Sequence, residues 1–199
     1  MIRPSIELLS HTPYAQDLIE IAGRNSYGSP VADTEEAQAN WIAARIKGWE
    51  HDVLEHASAT FLITCSRACS HQIVRHRIAA YTQQSQRFQE IKPEDLTLIP
   101  DWVRPGDIDE WLQDYKAAFH TYRKWRKLGY QRQQARLHLP EGTATRLIAT
   151  WNMREIRHIL TMRTPKKADQ EFRSIAQAAL RICLDKWPAV FADMEVLLA

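Results

Sequence analysis

The segment ASATFLITC, residues 57–65, alternates Ala59, Phe61 and Ile63 with Ser58, Thr60, Leu62 and Thr64. A period of two carried by β-branched and aromatic residues predicts a strand with one face in a core. A helix is expected next, over residues 70–77, and it runs into RHRIAAYTQQSQRF, residues 75–88. Two guanidinium groups and an imidazole crowded ahead of Tyr, Thr, Gln and Ser are costly to hold unless an anion answers them.

Working outward, residues 13–25 and 33–49 show helical spacing of apolar residues. The second carries Asp33 or Thr34 as N-cap, with Trp41, Ile42, Arg45, Ile46 and Trp49 along one side. Pro93, Pro100, Pro105 and Gly106 punctuate the middle, and Asp107 or Asp109 opens a long helix through Trp111, Tyr115, Phe119, Tyr122 and Trp125. That spacing of three to four favours core packing over a stacking platform for bases. QRQQARLHL, residues 131–139, reads as a helix halted by Pro140, TRLIAT, residues 145–150, as a strand, and residues 153–162 and 168–185 as two closing helices. No internal repeat or low-complexity linker interrupts the pattern. The expected fold is α+β, a single domain over residues 1–199 with more helix than sheet and a small mixed or antiparallel sheet.

The 199 residues are 45% hydrophobic and 25% charged, enough for one domain with a real core. A net charge of +2, from 26 basic against 24 acidic residues, lacks the footprint of a protein that coats a nucleic-acid polymer. The basic groups must therefore act locally. MIRPSIELLSHTPYAQ at the N-terminus holds no apolar run suited to a signal peptide, and nowhere do about 18 apolar residues follow one another. No membrane partner and a cytoplasmic location are expected. Cys65, Cys69 and Cys183 form no CxxC pair or zinc-ligand spacing, which implies buried reduced thiols and no metal.

If residues 70–77 are helical, Gln72, Arg75 and His76 share a face. Ser85 and Arg87, two apart in extended chain, point the same way and suit a phosphate. Downstream, QARLHLP places Arg136 before a proline, and TWNMREIRHILTMR places Asn152, Arg154, Arg157, His158 and Arg163 in one turn-and-helix unit. Three separated segments rich in Arg and His point to one shared anionic site. The chain has no GxGxxG or Walker loop, so side chains rather than a glycine nest must hold the anion.

Arg75, His76 and Arg77, then seven residues, then Ser85, resemble the signature of the flavin-dependent thymidylate synthases. The flanking CSHQIVRHR and SQRF, and the ordered blocks VLEHAS, ARLHLP, TWNMR, RHILTMR and ADQEFR, extend the likeness over most of the chain. The resemblance implies that family's fold and a homotetramer with active sites at subunit interfaces. Each site would bind FAD, dUMP and a reduced folate. The implied reaction is reductive methylation of dUMP at C5 to dTMP, with NADPH as reductant and 5,10-methylenetetrahydrofolate as one-carbon donor. Carried over residue by residue, Gln72, Gln83, Ser85, Gln86, Arg87, Arg136 and Arg163 belong to the dUMP site. Ser26, Glu50, Glu55, Arg75, His76, Arg77, Ile78, Asn152, Arg154 and His158 belong to FAD. Arg163, Ser85 and Arg75 stand nearest the chemistry, with no covalent role for Ser85, Cys65 or Cys69.

The chain departs from the family pattern at Trp49, Glu50, His51 and Asp52, where Gly-His-x-Ser or Gly-His-x-Thr is usual, and at Lys167, Ala80 and Phe88, where His, Ser and Tyr are common. Alternatives to dTMP synthesis are flavin-dependent methylation or hydroxymethylation of another uridine nucleotide such as UMP, and a non-catalytic nucleotide- or RNA-binding protein.

Overall fold

The computed structural model describes residues 2–198. The chain runs β1 (Ser5–His11), α1 (Ala15–Tyr27), α2 (Glu35–Lys47), β2 (Ser58–Ser66), α3 (Arg67–Ile73), β3 (Ala79–Gln83), α4 (Ile108–Lys127), α5 (Arg132–Ala135), β4 (Ala144–Asn152), α6 (Met153–Arg163), α7 (Gln170–Lys186) and α8 (Pro188–Phe191). Among the described residues, no helix is long and apolar enough to cross a membrane.

The strands form one antiparallel sheet in the order β1-β2-β4-β3. The alternation of β2 decides which face is inside: Ala59, Phe61, Ile63 and Cys65 are buried, and their neighbours are only partly covered. Register carries the pattern across to β4, where Ala149 opposes Phe61 and Leu147 opposes Ile63. On the other face Thr60 and Thr150 meet hydroxyl to hydroxyl at 2.9 Å. Against the inner face pack Ile156, Ile159 and Leu160 of α6 and Phe172, Ile175, Ala176, Ala179 and Leu180 of α7, each set spaced three or four apart. Cys65, Cys69 and Cys183 lie free and buried in this core, and Cys65 and burial together push the Cys69 thiol far up. The aromatic spacing of α4 is core packing: Tyr115 and Tyr122 are buried with Ile91 and Ala135, flanked by Trp111, Phe119 and Trp125.

Two strands go beyond the sequence reading. β1 and β3 are the sheet edges, and β3 has no fully buried residue, so neither shows the apolar alternation of a central strand. The helix expected over residues 70–77 starts earlier and ends earlier, at Ile73. Ser66 caps it by accepting the Cys69 N–H at 3.0 Å. Its C-terminus is clamped by the Tyr81 hydroxyl, 2.9 and 2.8 Å from the Ile73 and His76 carbonyl oxygens. Arg75, His76 and Arg77 therefore occupy a turn rather than a helix. Ser85 and Arg87 are not in extended chain either: Gln89 N–H donates to Ser85 O at 2.9 Å and Arg87 N–H to Ser85 Oγ at 3.3 Å, closing a turn. The helix read over residues 131–139 is α5 followed by a 3₁₀ turn, Arg136–His138, because Leu139 must be extended ahead of Pro140.

Glu171, in the first turn of α7, fixes where α3 begins: its two oxygens accept the Ser66 N–H and O–H, each at 2.6 Å. Two hydrogen bonds to a charged group bear on the loss, so Glu171→Ala is expected to cost about 2–4 kcal/mol in a urea melt. A loss under about 0.5 kcal/mol contradicts this anchoring.

Candidate active site

The site grows from the junction of β4 and α6. Asn152 turns back to accept the Glu155 N–H at 2.8 Å, the N-cap that starts α6 directly from the strand. From there Glu155, Ile159 and Arg163 fall four apart on one face. The turn after α3, held by Tyr81, sets Gln72 and His76 against that face.

Arg163 is the hub. Its Nε donates to His76 Nε2 at 3.1 Å and its Nη1 to Gln72 Oε1 at 3.3 Å, while the guanidinium lies 4.9 Å over the Phe172 ring. Arginine only donates, so His76 Nε2 must accept, which makes the ring neutral with its proton on Nδ1. Burial, then Arg163, then His158 hold its pKa down at about 4. His76 Nδ1 faces Glu155 Oε1 at 3.4 Å, and the His158 ring stands 5.7 Å away, centroid to centroid. His76, Glu155 and His158 are residue types that ligate metals, with their candidate atoms within 4.8 Å of one another. With Nε2 taken by Arg163 and Nδ1 protonated, however, His76 offers a metal no lone pair, and the cluster reads as polar packing around a neutral ring.

The other candidate residues have surroundings of their own. Gln83 donates from Nε2 to Ser70 Oγ at 2.8 Å and Thr145 Oγ1 at 3.2 Å. Gln86 is buried, and its Nε2 has no hydrogen-bond partner among the described residues. Arg87 and Phe88 open a cleft of about 290 Å³ lined also by Arg126, Gln131, Arg132 and Gln133. Glu90 pairs with Arg126 at 3.2 Å and Arg132 at 2.7 Å, so two of the three guanidinium groups that line the cleft share one carboxylate. Arg136 lies half-buried in its 3₁₀ turn.

Arg75, Arg77 and Ile78 are exposed, and neither arginine side chain forms an ion pair or hydrogen bond with the described residues. Unpaired cations beside an exposed apolar side chain suit a ligand that is anionic at one part and apolar at another, as FAD is. Arg154 pairs with Glu55 at 2.5 Å, and Ser26 donates to Gly23 O at 2.7 Å at the end of α1. Glu50 is held by Arg45 at 3.1 Å and by the Tyr27 hydroxyl at 3.2 Å. Arg157 turns away from the site: it pairs through both nitrogens with Asp193 and fastens the C-terminal segment.

The sequence reading missed Glu155, Tyr81, Phe172, Arg126 and Arg132. Glu155 had a local signal, standing three residues before His158 on a helix face. The other four come together only through the tertiary fold.

A buried base held below its unfolded value makes the native state gain stability as pH rises from about 4 to 6.5, because the unfolded state binds the extra proton there. Glu155, raised by burial, contributes with the opposite sign. A site-resolved NMR titration separates the two: the His76 ring is expected to show no midpoint between pH 5 and 8, and a midpoint near 6.5 contradicts the assigned proton positions.

Comparison with known proteins agrees with the signature. A family model described as thymidylate synthase complementing protein matches residues 7–189. The flavin-dependent thymidylate synthase of Pyrococcus horikoshii is 36% identical over 183 residues, 86% of this chain and 75% of that protein. That of Thermococcus onnurineus is 41% identical over 139 residues, 66% of this chain, and the match spans 57% of the relative's length. In shape the chain is similar to the UMP/dUMP methylase PolB of Streptomyces cacaoi bound with 5-Br dUMP, with a TM-score of 0.85, 22% identity, and coverage of 97% and 95% of the two chains. A match over residues 7–189, nearly the whole sequence, means that the chain belongs to the thymidylate synthase complementing protein family.

Proposed function

We propose that the protein methylates C5 of dUMP to give dTMP. A methylene unit passes from 5,10-methylenetetrahydrofolate to the ring carbon, two electrons from NADPH reduce it to a methyl group, and tetrahydrofolate and NADP⁺ leave. FAD, when bound, supplies the two-electron relay between NADPH and the one-carbon unit. The observation that carries this reading is the Arg163 hub: a permanent cation held by a neutral histidine and a glutamine, next to a motif with unpaired guanidinium groups.

In this reading Arg163 faces the pyrimidine and stabilises the negative charge that develops as C5 becomes nucleophilic. Its tether to His76 and Gln72 keeps it in place, so little reorganisation is required as charge forms. Gln86, whose buried Nε2 has no partner among the described residues, donates to the nucleotide, and Gln72, Gln83, Ser85 and Arg136 complete its surroundings. Arg87, in the cleft with Arg126 and Arg132, takes the dianionic 5′-phosphate. Arg75 and Arg77 hold the anionic part of FAD and Ile78 its apolar part, with Ser26, Glu50, Glu55, His76, Asn152, Arg154 and His158 along it.

The assembly is proposed to be a homotetramer with each site at a subunit interface. Support comes from the large apolar side chains left on the surface: Tyr14, Trp49 and Leu137 are each more than 80% exposed. A second reading, C5 methylation of UMP, draws on the likeness to PolB, which is described as acting on both UMP and dUMP.

The test is anaerobic incubation of the FAD-loaded protein with NADPH, 5,10-methylenetetrahydrofolate and either dUMP or UMP, with products identified by mass. A methyl group on dUMP is the expected result, methylated UMP alone favours the second reading, and no product from either overturns both. Arg87→Ala is expected to weaken nucleotide binding by about 1.5–3 kcal/mol, roughly tenfold to more than a hundredfold, while leaving the weak binding of deoxyuridine unchanged. Equal losses for both ligands contradict the phosphate role. Arg75→Ala is expected to lower FAD affinity in a fluorescence titration, and an unchanged affinity removes Arg75 from that site.

A further inference from the structure

Glu155 is 5% exposed and His76 is 7% exposed, so a carboxylate and an imidazole are both withdrawn from water at the base of the site. Burying a carboxylate is costly, and burial does push its pKa up, so the group requires a reason to be there. Its oxygen Oε1 lies 3.4 Å from His76 Nδ1. The far side of that ring, Nε2, accepts from Arg163 Nε, and a neutral imidazole carries one N–H only. With the proton on Nε2 instead, Nε2–H would meet the Arg163 N–H, and the bare Nδ1 lone pair would face the Glu155 oxygen. Both contacts would turn repulsive together.

We propose that Glu155 is a positioning residue: by facing Nδ1–H it selects the tautomer of His76 whose Nε2 can hold the Arg163 guanidinium in place. The chain of contacts runs from Glu155 through His76 to Arg163, and Gln72 fixes the second nitrogen of the same guanidinium. His158, one turn further along α6, faces the same ring at 5.7 Å and is the other titratable group beside it. Phe172 closes the third side, edge-on to His76 and beneath the Arg163 guanidinium. The carboxylate touches no ligand in this arrangement and acts through the imidazole, as partners behind a functional histidine commonly do.

The effect on turnover rests on the methylation reading, whereas the effect on the tautomer does not, so both are measured. In protein labelled with ¹⁵N-histidine and loaded with FAD, His76 is expected to be the neutral Nδ1–H tautomer in the wild type and in Glu155→Gln, whose amide oxygen also accepts. Glu155→Leu, similar in volume and unable to accept, is expected to show a mixed or Nε2–H tautomer. It is also expected to lose about tenfold in kcat with a much smaller change in nucleotide KM, and Glu155→Gln is expected to recover most of that loss. If the Leu variant does not fold, Glu155→Asp, which withdraws the oxygen by one methylene, carries the same comparison. An unchanged tautomer in the variant, or an altered tautomer with unchanged kcat, overturns the proposal. If the wild type methylates no uridine nucleotide, the functional reading falls while the tautomer measurement still decides whether Glu155 sets the ring.

Discussion

A guanidinium that donates to a histidine nitrogen requires that histidine to stay neutral, and much of this site follows from that single constraint. Arg163 cannot give up its proton, so His76 must accept at Nε2. Burial inside the core and the positive charge of Arg163 itself both disfavour protonating the ring, so the requirement reinforces itself. Gln72 takes a second guanidinium hydrogen, and the Phe172 face supports the cation from below. The result is a cation with few orientations open to it, which is the kind of preorganised group that stabilises charge appearing on a bound ring.

The fold supplies the two halves of that contact from distant parts of the sequence. Asn152 and Arg163 lie at opposite ends of α6, and the Asn152 cap lets the helix begin where β4 ends. Gln72 sits in the last turn of α3 and His76 just beyond it, 87 residues before Arg163. β4 pairs with both β2 and β3, so the segments on either side of that turn are registered against the strand that leads into α6. Tyr81 closes the geometry: from β3 its hydroxyl holds the turn carbonyls of Ile73 and His76, and it accepts from Trp151 Nε1 of β4 at 3.0 Å. Glu171 fixes the other end of α3 from α7.

Much of this was legible in the sequence wherever burial and period coincide. β2, with one face in the core, and α6 and α7, with apolar residues three and four apart, are readable directly, and the aromatic spacing of α4 packs as its period predicts. The edge strands β1 and β3 are not readable this way, since an edge with little buried surface leaves little alternation to read. The end of α3 was also hidden, because it is set by Tyr81 arriving from β3 rather than by a local stop signal. The Arg-His-Arg signature was visible in the sequence, but the separation into a buried His76 between exposed Arg75 and Arg77 depends on the turn. Trp49 adds a conformational case: it adopts φ 64°, the left-handed region that favours glycine, at the position where the family usually has glycine.

The most direct measurement is a crystal structure of the protein soaked with FAD and dUMP. The expected electron density has the pyrimidine against the Arg163 guanidinium with Arg163 Nε still on His76 Nε2, and the 5′-phosphate in the cleft with Arg87. A nucleotide bound away from Arg163, or an Arg163 that releases His76 to reach its ligand, would contradict the view that a neutral histidine holds this cation ready for the ring.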